Sequence, residues 1–267
     1  MFWDTHVHTH FSGDSKAALA DMAEAALRLN LDGLCFTDHY DYDYPGEPEL
    51  FLLDFDRYRQ ETAALRQMYD GRLPIRFGIE LGLQPHLAEH NRKIARSYPF
   101  DFVIGSSHVV HGNDPYYPSY FEGRTEAAAY REYFESILEN IKSFTDFDVY
   151  GHLDYVVRYG PNKNAAYSYE KYSDIIDEIL RALIAGGKGI EVNTGGFAKG
   201  LGHPHPTEAV LARYRELGGE ILTVGSDAHI PQHVGAEFAR LPDILRNAGF
   251  SYYTVFEKRK PHFLPLP

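Results

Sequence analysis

The chain has 267 residues, of which 44% are hydrophobic, and a formal charge of −12 from 26 basic and 38 acidic residues. This length and apolar fraction suit one large domain or two small ones and exclude a disordered chain. The acidic balance argues against nucleic acid as the main partner, because a phosphate backbone is bound by basic surfaces.

Two further features bear on where the chain works. It contains one cysteine, Cys35, so it cannot form an internal disulfide, which fits a reducing compartment. The N-terminus has neither the basic nor the apolar region of a signal peptide, and no apolar run approaches the roughly 18 residues of a membrane span. We therefore expect a cytoplasmic protein without membrane contact.

Short apolar segments alternate along the chain with segments of helical periodicity. Strands are predicted at 2–7, 33–38, 75–81, 102–107, 149–153, 188–193 and 220–225, with a weaker eighth at 252–256. Helices are predicted at 17–30, 55–70, 86–97, 125–144, 169–185, 207–218 and 239–248. This alternation is typical of βαβ units around a parallel sheet.

Seven or eight such units favour a closed or nearly closed barrel, and an open doubly wound sheet is the alternative. The first predicted strand is not followed by Gly-x-Gly-x-x-Gly, and there is no Gly-Lys-Ser/Thr phosphate loop. Nucleotide-binding versions of the open sheet are therefore disfavoured.

Histidine and carboxylate residues follow the apolar segments where the predicted strands end. They are His6, His8, Asp38, His39, Glu80, His108, His152, Asp227 and His229. The carboxyl ends of the strands of a parallel barrel converge on one face, where active sites are built. His6 and His8 are two residues apart in a strand, so both rings can reach one ion. Imidazoles and carboxylates gathered at that face can hold divalent metals.

These residues and their neighbours resemble the ordered motifs of the PHP (polymerase and histidinol phosphatase) family over nearly the whole chain. The motifs are His6-Val7-His8-Thr9, Thr37-Asp38-His39, Gly78-Ile79-Glu80, Ser107-His108, Gly151-His152-Leu153-Asp154 and Gly225-Ser226-Asp227-Ala228-His229. Tyr155–Pro161 and Tyr252–Glu257 resemble the histidinol-phosphatase branch. The resemblance implies an α/β fold, a distorted TIM-like (β/α)7 barrel, in which residues 1–267 form a single domain.

The resemblance also implies three divalent ions. The ligands of the first ion would be His6, His8, Glu80 and Asp227. The second ion would share Glu80 and add His108 and His152. The third would take His39, His229 and Asp14, which stands where several relatives have histidine. Because a carboxylate is a harder ligand than imidazole, Asp14 favours manganese, iron or magnesium over zinc, and the native metal stays open among manganese, iron and zinc.

A cluster of this kind suits the hydrolysis of phosphate esters. Bound divalent ions lower the pKa of water and stabilise charge on phosphoryl oxygens, and their charge exceeds that of the ligating carboxylates. Because the chain has no Gly-x-Ser-x-Gly nucleophile motif, we expect direct attack by a metal-bridging hydroxide. Asp227, His229 or a bound water would protonate the leaving alkoxide.

Several loop residues are candidates for substrate contact. By the resemblance, Arg158 binds phosphate, which a guanidinium can hold through two hydrogen bonds. Relatives often carry a second phosphate-binding arginine after the segment that corresponds to 191–194, whereas Lys199 is the basic residue available here. The remaining candidates are His203, His205 and Tyr117.

The resemblance implies a metal-dependent phosphomonoesterase, most specifically a histidinol-phosphatase that converts L-histidinol phosphate to L-histidinol and phosphate in histidine biosynthesis. The missing second arginine keeps another small phosphate ester open: a sugar phosphate, a nucleoside monophosphate or a phosphodiester. A third hypothesis is a non-catalytic interaction module, since PHP domains also occur beside polymerases. The complete set of ligand types argues against it. A small phosphorylated substrate is the expected partner.

Overall fold

The computed structural model describes all 267 residues as ten strands and eight α-helices. The strands are β1 (Trp3–Val7), β2 (Gly33–Phe36), β3 (His39–Tyr40), β4 (Ile75–Gly82), β5 (Phe102–Ser106), β6 (Val149–Tyr150), β7 (Gly189–Asn193), β8 (Leu222–Gly225), β9 (Tyr252–Glu257) and β10 (Lys260–Pro265). The helices are α1 (Leu19–Arg28), α2 (Phe55–Met68), α3 (Ala88–Ser97), α4 (Glu126–Ser143), α5 (Ser173–Ala185), α6 (Gly195–Ala198), α7 (Glu208–Glu216) and α8 (Leu241–Asn247).

Seven parallel strands form a sheet that curls almost into a barrel. Their order is β1-β2-β4-β5-β6-β7-β8, and β3 pairs with β4. The two ends of the sheet meet just beyond β1 and β8, where Val7 and Ala228 form a parallel bridge. There the amide of His8 donates to the carbonyl of Ala228, and the amide of Asp227 donates to the carbonyl of His6, each over 2.9 Å. The barrel expectation is confirmed, and the open-sheet alternative is wrong.

The strands and helices bury complementary apolar surfaces. Every residue of β1, β2, β5, β7 and β8 is buried, as expected for a sheet covered by helices on its outside. Helix α5 shows the pattern on the other layer, since Ile176, Ile179, Leu180 and Leu183 lie on one face and are completely buried. Each such side chain contributes about 1.5–3 kcal/mol on burial. None of the helices combines the length and apolar character needed to cross a membrane.

The weaker predicted strand at 252–256 exists but lies outside the barrel. It is β9, which pairs antiparallel with β10, and β10 is missing from the predicted elements. The two prolines and exposed side chains of β10 weaken its strand pattern. Strand β6 ends at Tyr150 rather than at 153, because the amide of His152 donates to the side-chain carboxylate of Glu191 in β7 instead of to a backbone carbonyl.

Candidate metal centre and active site

The predicted metal ligands lie at the carboxyl ends of the barrel strands or, like Asp14, in a loop that follows a strand, and they surround a cavity of about 520 Å³. Those that reach the cavity wall are Asp14, His39, His108, His152, Asp227 and His229. His6, His8 and Glu80 are completely buried beneath it. The carboxyl ends of the strands therefore converge as expected for a barrel.

Glu80, near the end of β4, lies at the centre of the cluster. Its Oε2 atom is 2.9 Å from Nδ1 of His39 and 3.3 Å from Nε2 of His6. Its Oε1 atom is 2.9 Å from Nε2 of His152 and 3.4 Å from Nε2 of His108. The two oxygens thus face different sets of imidazoles, so this carboxylate can bridge two ions.

Two further carboxylates complete the cluster. Oδ1 of Asp227 lies 3.4 Å from Nε2 of His8, and Oδ2 of Asp14 lies 3.2 Å from Nε2 of His229. Four groups of donor atoms are compact enough to hold an ion: His6, His8 and Glu80; His8, His39 and His229; Glu80, His108 and His152; and His39, Asp41 and His108. All but Asp41 are predicted ligands, and four residues, His8, His39, Glu80 and His108, each belong to two groups.

Hydrogen bonds to Nδ1 of His6 and His8 determine which ring nitrogen faces the metal cluster. Nδ1 of His6 lies 2.5 Å from Oε1 of Glu191 and donates to it, which leaves Nε2 facing Glu80. Oγ of Ser12 donates to Asp38 over 2.7 Å, so it accepts from Nδ1 of His8 over 3.1 Å. This pattern directs Nε2 of both rings inward.

Buried atoms without hydrogen-bond partners are a second indication of metal binding, independent of the residue types. The Nε2 atoms of His6 and His8 and the Oε2 atom of Glu80 are buried without a hydrogen-bond partner. An unsatisfied buried polar atom costs about 1–3 kcal/mol, and more when the group is charged. Divalent ions between these atoms would satisfy them, so the residues present fit a metal centre.

The charges of the cluster carboxylates Glu80 and Asp227 are maintained by their neighbours. Burial opposes ionisation of Glu80, but His6 and His108 hold the pKa of this carboxyl well below its usual range. Burial likewise opposes ionisation of Asp227, and Arg158 holds its pKa well below the usual range. Both side chains are therefore anionic ligands at neutral pH.

Arg158 reaches the cavity from the turn after β6 and is only 7% exposed. Its Nη2 atom donates to Oδ2 of Asp227 over 2.9 Å, and its Nε atom donates to Nε2 of His205 over the same distance. Nδ1 of His205 donates to Asp154. Nη1 of Arg158 has no partner within the protein, so it is free to donate to a ligand in the cavity.

The other predicted substrate contacts divide into two pairs. Lys199 and Tyr117 line the cavity. His203 and His205 do not, so the expectation that they reach the substrate does not fit their placement. The backbone of His205 pairs with that of Asn193 in β7, which draws its ring behind Arg158, and Nε2 of His203 lies 3.0 Å from Oδ1 of Asn164.

Three buried carboxylates that hold imidazole rings are absent from the predicted site residues: Glu191, Asp41 and Asp154. Glu191 bonds His6, Asp41 bonds His108 over 2.7 Å, and Asp154 bonds His205. A signal for Glu191 is present in the sequence, since it is the one charged residue in the apolar strand β7. Burying an unpaired charge is costly, so a carboxylate in such a strand indicates a partner.

Comparisons with known proteins agree with this site. The sequence model of the PHP domain family matches residues 4–195. A "probable histidinol-phosphatase" of Clostridium acetobutylicum is 32% identical over 262 residues, which cover 97% of this chain and 98% of the relative. A histidinol-phosphatase of Lactococcus lactis is 31% identical over 258 residues, which cover 96% and 95%.

A solved structure extends the similarity to three dimensions. It is the crystal structure of histidinol phosphate phosphatase from Lactococcus lactis complexed with zinc, L-histidinol and phosphate. It matches this chain with a TM-score of 0.92 and 30% sequence identity and covers 98% of both chains.

Proposed function

The chain belongs to the PHP domain family, and from this premise we propose that it is a metal-dependent phosphomonoesterase that hydrolyses L-histidinol phosphate to L-histidinol and phosphate. The observation that carries the proposal is the cluster around Glu80 beside a buried arginine with a free Nη1 atom. The Lactococcus relative, whose structure holds zinc, L-histidinol and phosphate, supports this substrate. We place the activity in the cytoplasm.

Three divalent ions are part of the proposal. His6, His8, Glu80 and Asp227 would hold the first; Glu80, His108 and His152 the second; and Asp14, His39 and His229 the third. When bound, such ions lower the pKa of water and neutralise phosphoryl oxygens. Asp41, which contacts His39 and His108, supports the rings on the side of the second and third ions.

Arg158 is proposed to fix the phosphate. Its Nε and Nη2 atoms are held by His205 and Asp227, so the guanidinium plane is oriented before the substrate arrives. Its free Nη1 atom can then donate to a phosphoryl oxygen without further ordering of the side chain. Lys199 adds a second positive charge at the cavity wall, in the segment after β7 where relatives often carry a second arginine.

Proton transfer is assigned to Asp227. Its low pKa keeps it ionised but makes it a weak base, so it would accept a proton from an attacking water whose own pKa the bound ions lower. It can return that proton to the leaving alkoxide, as a base that becomes an acid in the second half of the reaction. His229 is less suited to this role, because its Nδ1 atom donates to the carbonyl of Asp227 over 2.9 Å.

The proposal is tested by measuring phosphate release from L-histidinol phosphate by protein loaded with manganese or zinc. A sugar phosphate, a nucleoside monophosphate and a phosphodiester serve as competitors. We expect a clear preference for histidinol phosphate. Indiscriminate release would identify a phosphoesterase for another small ester, and a protein that neither binds metal nor releases phosphate would be an interaction module.

A further inference from the structure

One carboxylate of the cavity wall, that of Asp114, belongs neither to the metal cluster nor to the hydrogen-bond network of Arg158. Asp114 follows β5 in an aromatic loop, lines the cavity and is 7% exposed. Its Oδ2 atom accepts a hydrogen bond from the hydroxyl of Tyr44 over 2.6 Å, and its Oδ1 atom accepts one from the amide of Tyr116 over 2.7 Å. Its position and orientation are therefore fixed from two sides.

Asp114 differs from the other buried carboxylates around this cavity in having no basic partner. Asp227 pairs with Arg158, and Asp41 pairs with His108. No lysine, arginine or histidine forms an ion pair with Asp114, and burial raises the pKa of its carboxyl. A buried carboxylate that faces a cavity without a cation is costly for the free protein, and a cationic ligand would offset that cost.

Aromatic rings lead from the metal cluster to Asp114 along two sides. On one side the ring of His39 contacts Phe51, and Phe51 contacts Tyr44, at centroid distances of 5.2 and 4.9 Å. On the other side the rings of His108, Tyr155, Tyr159 and Tyr116 follow one another at centroid distances of 5.5, 5.1 and 5.3 Å. A carboxylate among aromatic rings is suited to an alkylammonium group, because a ring that presents its face to the group also attracts a cation.

We propose that Asp114, framed by Tyr44 and Tyr116, binds the ammonium group of the substrate. The inference rests on the proposed function, since L-histidinol phosphate carries one amine close to its phosphate ester. That amine is charged at neutral pH, whereas an imidazole with an ordinary pKa near 6.5 is mostly neutral. The cavity then has an anion-binding side at Arg158 and a cation-binding side at Asp114.

This division explains how the cavity selects among phosphate esters. All phosphate monoesters can use the metal cluster and Arg158, but sugar phosphates and nucleoside monophosphates lack an alkylammonium group. Such esters leave Asp114 desolvated without a partner. A site that leaves a buried polar group unpaired discriminates strongly against the ligand responsible.

The test compares three esters: L-histidinol phosphate, its des-amino analogue 3-(imidazol-4-yl)propyl phosphate, and L-phenylalaninol phosphate, which keeps the amine and lacks the imidazole. For Asp114→Asn we expect kcat/KM to fall roughly 10- to 100-fold on both amine-bearing esters, mainly through KM. Activity on the des-amino ester should change little. Asp114→Glu, which keeps the charge and the acceptor atoms, should retain part of the preference for the amine.

Asp43→Asn is the matched control. Asp43 is an acidic residue of the neighbouring loop, its side chain is 61% exposed, and it contacts His86 rather than the cavity. We expect this variant to behave as wild type on all three esters.

Other outcomes overturn the assignment. Equal losses on all three esters for both Asp114 variants would mean that Asp114 only supports the loop. A loss confined to the two imidazole esters would place the imidazole, not the amine, on Asp114. If wild type ignored histidinol phosphate but preferred another amine-bearing ester through Asp114, the proposed function would fail and the ammonium site would stand. Histidinol phosphatase activity without a preference for amine-bearing esters would support the proposed function and contradict the ammonium site.

Discussion

Nε of Arg158 donates a hydrogen bond to Nε2 of His205 over 2.9 Å, and this contact sets the tautomer of a completely buried histidine. Because Nε2 accepts, the proton of the neutral ring lies on Nδ1, which donates to Asp154. The chain from Asp154 through His205 and Arg158 to Asp227 therefore connects the barrel interior to the metal cluster. Because His205 is neutral, these hydrogen bonds orient Arg158 without placing a second positive charge beside it.

This arrangement predicts a pH dependence of stability. Burial lowers the pKa of His205 from 6.5 to about 4, although Asp154 acts in the opposite direction. Between these values the unfolded chain binds a proton at this residue and the folded protein does not. The free energy of unfolding is therefore highest above pH 6.5 and falls as the pH drops toward 4, by up to about 3 kcal/mol from this residue.

Urea denaturation of wild type and His205→Gln at a series of pH values checks this expectation. The variant should be less stable at pH 7 but lose less stability on acidification, because its side chain does not titrate. Identical pH slopes for the two proteins would show that His205 does not contribute to the acid sensitivity.

Arg158→Ala is expected to lower kcat/KM on phosphate esters by roughly 100- to 1000-fold, the usual cost of removing a preorganised donor to developing negative charge. Metal content should stay near that of wild type, because Arg158 is not a ligand. Steady-state kinetics with elemental analysis of the same samples separates the two effects. Arg158→Lys should recover little, since an ammonium cannot contact His205, Asp227 and phosphate together. Wild-type kinetics in Arg158→Ala would remove Arg158 from phosphate binding.

Glu191→Gln is expected to weaken metal affinity by roughly 10- to 100-fold through His6. The substitution removes the charge that holds Nδ1 of His6. It also places an amide near the N–H of His152, which donates to Oε2 of Glu191 over 2.9 Å. Titration with zinc against a competing chelator measures the loss. Glu178→Gln, on the exposed side of α5, is the control, and equal affinities in the two variants would contradict the role given to Glu191.

His152→Ala should lose activity through loss of metal, in contrast to Arg158→Ala. His152 contributes Nε2 beside Oε1 of Glu80, and alanine leaves His108 as the one imidazole at that oxygen, which also accepts from the hydroxyl of Ser106 over 2.7 Å. Metal-to-protein ratios after dialysis should fall below those of wild type. A variant that is inactive yet retains its full complement of metal would show that His152 serves another purpose.

The sequence by itself determines the local elements and the metal-ligand types. Apolar segments of five to seven residues contain the buried strands, and polar residues at their ends must meet once the strands are parallel neighbours. His6 and His8 share a face because of the strand period alone. For these reasons the barrel could be predicted, and the residues predicted as metal ligands lie together around Glu80.

Only the tertiary structure decides which distant side chains support the site. Glu191 meets His6 across 185 residues of chain because the two edges of the barrel close, and no local pattern encodes that pairing. The sequence predicts that His205 contacts the substrate from a loop, but the pairing of its backbone with Asn193 buries its ring behind Arg158. The sequence pattern at 252–256 allows an eighth barrel strand, but β1 contacts the end of β8 directly and leaves no gap for it. Local periodicity follows from backbone geometry, whereas these contacts depend on the closure of the whole sheet.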